Sequence, residues 1–317
     1  MKRLRLVLLA LVLGTIACEL GLRVYARLTR QERGLVFDSE LGWRMIPGVE
    51  KIGRFWSGSK PARVNSHGWR DAERTYENAS GKRRMVVVGD SFTFGVGVDA
   101  SERFTEVLES LVPELEVINL GMNAIGTDQE LLVLEKEGLR YGPRLVLCEL
   151  FEGNDFTDVG YLRNGYLPKP WFHLENGALV EVPPERTWDV TLRECGYLGE
   201  LAYRLVQKKT RYRVEAPEWL ERDTTPLVEA LLLRMNASAA RAGARFLVLL
   251  VRVPGLAQAD ALLPALGKAG IPVIDTGPRI EVPSERSRLY LPDGHWSPAG
   301  HRVVAEMLAD ALHGLER

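Results

Sequence analysis

From residue 85 onward, short apolar runs alternate with longer segments that have the periodicity of helices. Short apolar runs bounded by turn residues predict buried strands. Helix start signals lie at Thr127-Asp128-Gln129-Glu130, which fits a capping box, and at Thr225-Pro226, and a last helix is predicted to begin at Ser297-Pro298. The five predicted strands are 85–88, 116–120, 144–150, 245–251 and 271–275. This alternation predicts an α/β fold in which a five-stranded parallel sheet is covered by helices on both faces.

The order of the strands follows from the proline in the last run. Pro272 has no backbone N–H to donate, so the fifth strand belongs at an edge of the sheet. The flavodoxin-like order 2-1-3-4-5 places it there, and it makes the carboxyl ends of the first three strands neighbours. We therefore expect a three-layer α/β/α sandwich of the flavodoxin-like type.

Two segments precede the main domain, which is predicted over residues 84–317 and contains one insertion. Residues 1–28 are predicted to be an export or anchor segment. In residues 29–83, glycines and prolines interrupt every long period, which favours an arm that packs its tryptophans, Trp43, Trp56 and Trp69, on the main domain. Residues 156–224 are rich in proline and aromatic residues, and they form an insertion between the third strand and the next helix.

The amino terminus has the pattern of an export signal. Basic residues at positions 2, 3 and 5 precede an apolar run from Leu6 to Cys18. Cleavage after Ala17 and lipidation at Cys18 are alternatives to an uncleaved helix. Apolar positions continue from Leu20 to Leu28, which favours the uncleaved helix. We expect the protein in the bacterial cell envelope, anchored to the inner membrane by this helix.

Composition restricts the classes of partner. The formal net charge of -1 gives no electrostatic basis for binding nucleic acid. The three cysteines and five histidines show no metal-ligand spacing, and neither a cofactor nor an oligomeric state is predicted. Cys148 lies inside a predicted central strand, where we expect a buried free thiol.

Candidate catalytic residues follow the predicted strands directly. Ser91, in Gly89-Asp90-Ser91, lies at the carboxyl end of the first strand, where open α/β sheets bind ligands. It is a candidate nucleophile, and the alternative is a turn in which Ser91 caps the next helix. Gly121 and Asn154 follow the second and third strands. The loop after the fifth strand contains Asp293 and His295, so it can bring a histidine to the serine.

These residues carry a family resemblance. Gly89-Asp90-Ser91, Gly121, Gly153-Asn154-Asp155 and Asp293-Gly294-His295 resemble, in order, the four blocks of the GDSL/SGNH hydrolase superfamily, and the resemblance covers residues 85–312. One residue separates Asp293 from His295, which is similar to acetyltransferase-like members of bacterial polysaccharide modification. The arm and the anchor are similar to those of membrane-anchored bacterial members.

The resemblance implies a role for each residue. Ser91 is the nucleophile, His295 is the base, and Asp293 orients the imidazole. Asp293 as a plain turn residue remains an alternative. The oxyanion hole is formed by the backbone N–H groups of Ser91 and Gly121 and by the side-chain amide of Asn154.

Other polar residues near these blocks are expected to be structural. Asp90 and Asp155 are expected to hold their loops. His301, inside the last predicted helix, is expected to be a core histidine.

The expected function is that of a serine esterase acting on O-acyl groups of an envelope carbohydrate. The substrate would be an ester. We expect it to be linked to a carbohydrate, because the insertion is rich in aromatic residues and aromatic rings stack on sugar faces. The aromatic residues of the insertion could instead form its own core. An O-acyltransferase with the same residues and a non-catalytic glycan-binding protein on this scaffold are the alternatives.

Overall fold

A computed structural model describes residues 2–29, 34–49, 62–164, 167–207, 213–215 and 223–315. Trp56, predicted to pack in the arm, lies outside the described residues. The helices are α1 (Lys2–Thr29), α2 (Ser91–Phe94), α3 (Phe104–Leu111), α4 (Thr127–Lys136), α5 (Asp155–Asp158), α6 (Trp188–Glu194), α7 (Tyr197–Gln207), α8 (Thr225–Arg241), α9 (Leu263–Lys268), α10 (Gly277–Ile280), α11 (Arg286–Leu289) and α12 (Pro298–Leu315). The strands are β1 (Leu35–Asp38), β2 (Gly42–Met45), β3 (Arg83–Val88), β4 (Leu115–Asn119), β5 (Leu145–Phe151), β6 (Tyr161–Asn164), β7 (Leu167–Pro168), β8 (Trp171–Glu175), β9 (Ala178–Val182), β10 (Arg213–Glu215), β11 (Arg245–Val251) and β12 (Val273–Asp275).

The central sheet has the predicted order. Its five strands run β12-β11-β5-β3-β4, and every neighbouring pair is parallel. Numbered along the main domain, this is 2-1-3-4-5, so the flavodoxin-like α/β prediction is confirmed. Pro272 comes just before the edge strand β12, and its carbonyl accepts the Val248 N–H at 3.0 Å.

Strand β3 shows why the central runs are apolar throughout. Met85 and Val87 are buried against α3 and α12, whereas Val86 and Val88 are buried on the opposite face with α4 and α8. Successive side chains of a strand point to opposite faces, and both faces here are covered by helices. The result is a three-layer sandwich.

The amino-terminal arm packs on one face of this sandwich. Strands β1 and β2 form an antiparallel hairpin, and Trp43 and Trp69 are buried in the same apolar cluster as Val86. Arg70 is also buried, and its guanidinium donates hydrogen bonds to the carbonyls of Phe94, Gly95 and Val98. The arm therefore holds in place the loop that follows α2, the helix that begins at Ser91.

The insertion has secondary structure of its own. It contains the hairpin β8–β9, the three-stranded sheet β10-β6-β7 and the helices α6 and α7. Its aromatic residues differ in burial: Phe172 and Tyr203 are buried, whereas Trp188 is 69% exposed.

Helix α1 is long and apolar enough to cross a membrane by length and composition, which is weak support for an anchor. Its exposed surface is interrupted near its end, where Ala26 is buried and Glu19 is partly buried. Glu19 accepts the backbone N–H groups of Tyr197 and Leu198 at 3.1 and 2.9 Å. The end of α1 thus docks on the first turn of α7.

One local prediction is wrong. Helix α4 begins at Thr127 but its N-cap is Gly126, and the capping box expected at Thr127-Asp128-Gln129-Glu130 is not formed. Glu130 is instead fully buried and accepts a hydrogen bond from the Cys148 thiol at 3.3 Å. Cys148 is a buried free thiol, as predicted.

Candidate active site

The turn that carries Ser91 is tightly built. Ser91 is the first residue of α2, and the N-cap is Asp90, whose carboxylate accepts the Phe92 N–H at 2.9 Å. The alternative in which Ser91 caps this helix is therefore wrong. Gly89 is required by packing, since a Cβ there would lie 2.2 Å from the Thr93 hydroxyl and 2.7 Å from the Glu149 carboxyl.

His295 lies beside the serine, as expected for a loop that starts at the carboxyl end of the fifth strand. The distance from His295 Nε2 to Ser91 Oγ is 3.0 Å, which is the hydrogen-bonding distance expected of a serine nucleophile and its base. The loop is held in place because the Leu291 N–H donates to the His295 carbonyl at 2.7 Å and Trp296, fully buried, packs on Phe92.

Asp293 lies beside the other ring nitrogen of His295. Its Oδ1 is 3.3 Å from His295 Nδ1, and the same oxygen accepts the His295 backbone N–H at 3.2 Å. The ring contact has ion-pair distance but not the geometry of a hydrogen bond, so Nδ1 has no hydrogen-bond partner among the described residues. The Asp293 side chain is also 51% exposed. The contact to the backbone N–H is that of a turn residue, and the orientation of the imidazole by Asp293 remains a prediction.

Asn154 reaches the turn of Ser91 through Asp90. Its Nδ2 donates to Asp90 Oδ2 at 2.8 Å. A carboxylate accepts from an NH₂ group and repels a carbonyl oxygen, so this contact fixes which end of the amide faces Asp90. The amide nitrogen has a second N–H, which remains for another acceptor.

Gly121 packs against the same helix. A Cβ at this position would lie 2.5 Å from the Phe94 nitrogen and 2.6 Å from the Thr93 carbonyl carbon, so only glycine fits. The Gly121 N–H donates to Asn119 Oδ1 at 2.9 Å. Because that N–H already has an acceptor, its oxyanion role remains a prediction. The Ser91 N–H has no acceptor within the part of the chain that the structure describes.

Sequence reasoning missed an acidic residue behind the serine. Glu149, in the middle of β5, is fully buried, and its Oε2 accepts the Asp90 N–H at 3.2 Å and the Thr93 hydroxyl at 3.1 Å. The signal was a lone acid inside the apolar run of β5. Burial raises the pKa of Glu149 well above its usual range, and the neighbouring Asp90 adds to this shift.

Asp90 shares this buried environment, and each of its two carboxylate oxygens accepts one hydrogen bond. Burial raises the pKa of Asp90, while the hydrogen bonds from the Phe92 N–H and the Asn154 amide oppose that rise. Asp155 is buried as well, and it holds its own loop by accepting the Phe151 N–H at 2.7 Å.

His301 is a core histidine, as expected. It is buried, its Nδ1 accepts the Phe104 N–H at 3.2 Å, and its ring stacks on Phe104. Burial, together with the charges of Arg103 and Arg70, lowers its pKa to about 3. Among the described residues, no group of histidine, cysteine and acidic side chains could hold a metal ion.

Comparisons with known proteins give structural neighbours. No family model and no curated protein matches the chain. Solved structures of lipolytic G-D-S-L proteins are similar to it. One is a lipolytic protein of that family from Desulfitobacterium hafniense, with 12% identity, a TM-score of 0.45 and coverage of 72% of this chain and 99% of the other.

Two further neighbours have related descriptions. A lipase/acylhydrolase from Enterococcus faecalis has 16% identity and a TM-score of 0.42, covering 73% of this chain and 96% of its own. A two-domain esterase active on acetylated mannans has 13% identity and a TM-score of 0.44, covering 74% of this chain and 50% of its own. Likeness at this level carries no conclusion about activity, which depends on the residues of the site.

Proposed function

We propose that this protein is a serine ester hydrolase of the SGNH type. The observation that carries the proposal is the 3.0 Å contact between Ser91 Oγ and His295 Nε2 at the carboxyl edge of the parallel sheet. A serine hydroxyl becomes a useful nucleophile only when a base accepts its proton, and His295 is in position to do so. Asp293, next to the second ring nitrogen, stabilises the imidazolium that forms.

The proposed reaction is nucleophilic acyl transfer. Ser91 Oγ attacks the ester carbonyl carbon and gives its proton to His295 Nε2. The tetrahedral intermediate then collapses, and His295 protonates the leaving alcohol. The Ser91 N–H and the second N–H of the Asn154 amide are the proposed donors to the oxyanion, with Gly121 as a third if its N–H turns from Asn119. Water, activated by His295, releases the acid from the acyl-enzyme.

We infer a carbohydrate-linked ester in the cell envelope as the substrate. Helix α1, of membrane-spanning length, supports an envelope location, and the exposed indole of Trp188 offers a face on which a sugar could stack. A sugar hydroxyl in place of water would make the same site an O-acyltransferase, since both acceptors attack the same acyl-enzyme.

Incubation of the full-length protein with an activated acetyl ester, with and without an O-deacetylated glycan, tests the proposal. We expect free acetate in both cases, and acetylated glycan only if the enzyme transfers to sugar. Ser91→Ala is expected to abolish both products while the protein keeps its fold, because Ser91 lies on a turn outside the main apolar clusters. Full turnover in Ser91→Ala would overturn the assignment. Glycan binding without any turnover by the wild type would instead support the non-catalytic alternative.

A further inference from the structure

Four carboxyl groups are fully buried behind the serine, and the proposed reaction uses none of them as acid or base. They belong to Asp90, Glu130, Glu149 and Asp155, which follow or lie on β3, α4, β5 and α5. Isolated buried carboxylates are costly, so such groups are kept protonated or are paired with donors. Of the four, Glu149 contacts the turn of the nucleophile directly.

The contacts of Glu149 join the parts of the site. One oxygen, Oε2, accepts from the Asp90 backbone N–H and from the Thr93 hydroxyl, on either side of Ser91. The other oxygen, Oε1, has no hydrogen-bond partner among the described residues. Asp90 in turn accepts from the amide of Asn154, the proposed oxyanion donor. A displacement of Glu149 would therefore move both the nucleophile and this donor.

Of this pair, Glu149 is the better place for a proton. Two carboxylates in a dry site cannot both be ionised without a large cost. Both oxygens of Asp90 accept a hydrogen bond, one from the Phe92 N–H and one from the Asn154 amide, whereas Glu149 Oε1 accepts none from the described residues. The charged or titratable neighbours of Glu149 are Asp90, Asp155 and the Cys148 thiol, with Glu130 beyond them, and none of these is a cation. Among the described residues, a negative charge on Glu149 would be stabilised by two neutral donors, the Asp90 N–H and the Thr93 hydroxyl, and opposed by the surrounding acids.

We propose that Glu149 is a positioning residue that acts as a neutral carboxylic acid, holding the Ser91 turn by accepting two hydrogen bonds and, through Asp90, keeping Asn154 in place. This inference rests on the proposed function. It assigns Glu149 no contact with the substrate and no proton transfer in the reaction.

The test compares two substitutions at Glu149 in the full-length protein. Glu149→Gln is uncharged and keeps an acceptor for the Asp90 N–H and the Thr93 hydroxyl, so kcat should stay close to that of the wild type. Glu149→Leu has similar volume but no polar atoms, and kcat should fall by roughly 10²-fold with KM little changed, because the reacting groups lose their alignment. Equal losses in both variants would mean that an ionised Glu149 is required, and wild-type kcat in a folded Glu149→Leu would make the residue a space filler. Either result overturns the proposal.

Glu130 provides the matched control. It is the same residue type and equally buried in the same cluster, and it accepts a hydrogen bond from the Cys148 thiol but makes none to the Ser91 turn within the described residues. Glu130→Gln and Glu130→Leu should change stability but leave kcat near the wild-type value. Should Glu149→Leu not fold, Thr93→Val replaces it by removing one donor to Glu149 Oε2, and an unchanged kcat in that variant would overturn the proposal.

A second measurement separates this proposal from the proposed function. A protonated carboxyl has its own carbonyl stretch in the infrared spectrum, which is measurable in a protein with no activity. The spectrum of Glu149→Gln at neutral pH should lack one such band of the wild type, and retention of all bands would overturn the assignment of the proton. If the wild type showed no Ser91-dependent turnover, the proposed function would be overturned but the assignment of the proton to Glu149 would not.

Discussion

At the scale of single residues, the amide group of Asn154 makes one observed contact and is proposed to make a second. One N–H of its Nδ2 holds Asp90, and the other is the proposed donor to the oxyanion. We expect Asn154→Ala to lower kcat by roughly 10²–10³-fold with a smaller change in KM, because the donor acts mainly on the transition state. Steady-state kinetics on an activated ester measures this. A change confined to KM would mean that Asn154 binds the substrate and does not stabilise the oxyanion.

The pH dependence should report His295. Only a neutral imidazole can accept the Ser91 proton, so kcat/KM should fall with acid along a limb of one proton. Asp293→Asn should leave the 3.0 Å contact in place yet reduce kcat severely, because the imidazolium loses its counter-charge. A nearly normal kcat in Asp293→Asn would make Asp293 a turn residue, as its exposure and its contact to the backbone N–H also allow.

The sequence predicts the residues of this site that follow strands, and it does not predict their supports. Ser91 and His295 could be placed because parallel strands bring their carboxyl ends to one edge. The side chains that hold this edge in place come from elsewhere. Glu149 lies inside a strand, Asn119 lies at the end of another strand, and Arg70 belongs to the amino-terminal arm. No local pattern marks these long-range polar contacts, since each depends on a partner far along the chain.

At the scale of elements, Gly121 is the point where the loop after β4 meets α2. Gly121→Ala should destabilise the protein by about 1–3 kcal/mol, because the new methyl would overlap backbone atoms of Thr93 and Phe94 that cannot rotate away. Denaturant unfolding measures the loss. Gly267→Ala, in α9 with nothing within 4 Å of the new Cβ, is the control and should be neutral or stabilising. Equal stability in the two variants would contradict this explanation.

The bounds of elements could be predicted where burial and turn residues agree. The run 245–251 matches β11 residue for residue, because an exposed arginine starts it and a two-sided core fills it. The start of α4 could not be predicted from its capping pattern, since tertiary burial of Glu130 overrides the local exchange of hydrogen bonds.

At the scale of the whole molecule, His301 should limit stability in acid. Its pKa is about 3 in the folded protein against 6.5 for the free side chain, so below about pH 6.5 the unfolded chain binds a proton that the folded chain does not. The free energy of unfolding should therefore decrease as the pH falls from 6.5 toward 3. His301→Gln removes this titration and should give a shallower decrease, although the lost ring packing lowers stability at pH 7. Unfolding measured at a series of pH values tests this, and parallel curves would contradict it.

The location of the protein is a second property of the whole chain. We expect the full-length protein to sediment with membranes and to resist washing with salt, because Lys2–Ala26 is a candidate span. The double substitution Leu9→Arg and Val12→Arg should release it or prevent insertion, since each arginine in the apolar run costs about 3 kcal/mol. Recovery of the uncut wild type from the cytosol would contradict the envelope location.

The contact between Glu19 and α7 sets how far the catalytic domain could reach. If α1 spans the bilayer, Glu19 must lie at or beyond its outer surface, because its carboxylate is bound to the first turn of a helix of the domain. The stretch before it, from Lys2 to Cys18, is about 25 Å long as a helix, slightly less than the ~30 Å hydrocarbon thickness. The domain would then lie directly on the lipid surface, with no free length of chain between it and the membrane. Its substrates would have to reach the membrane surface, because the domain could not move away from it.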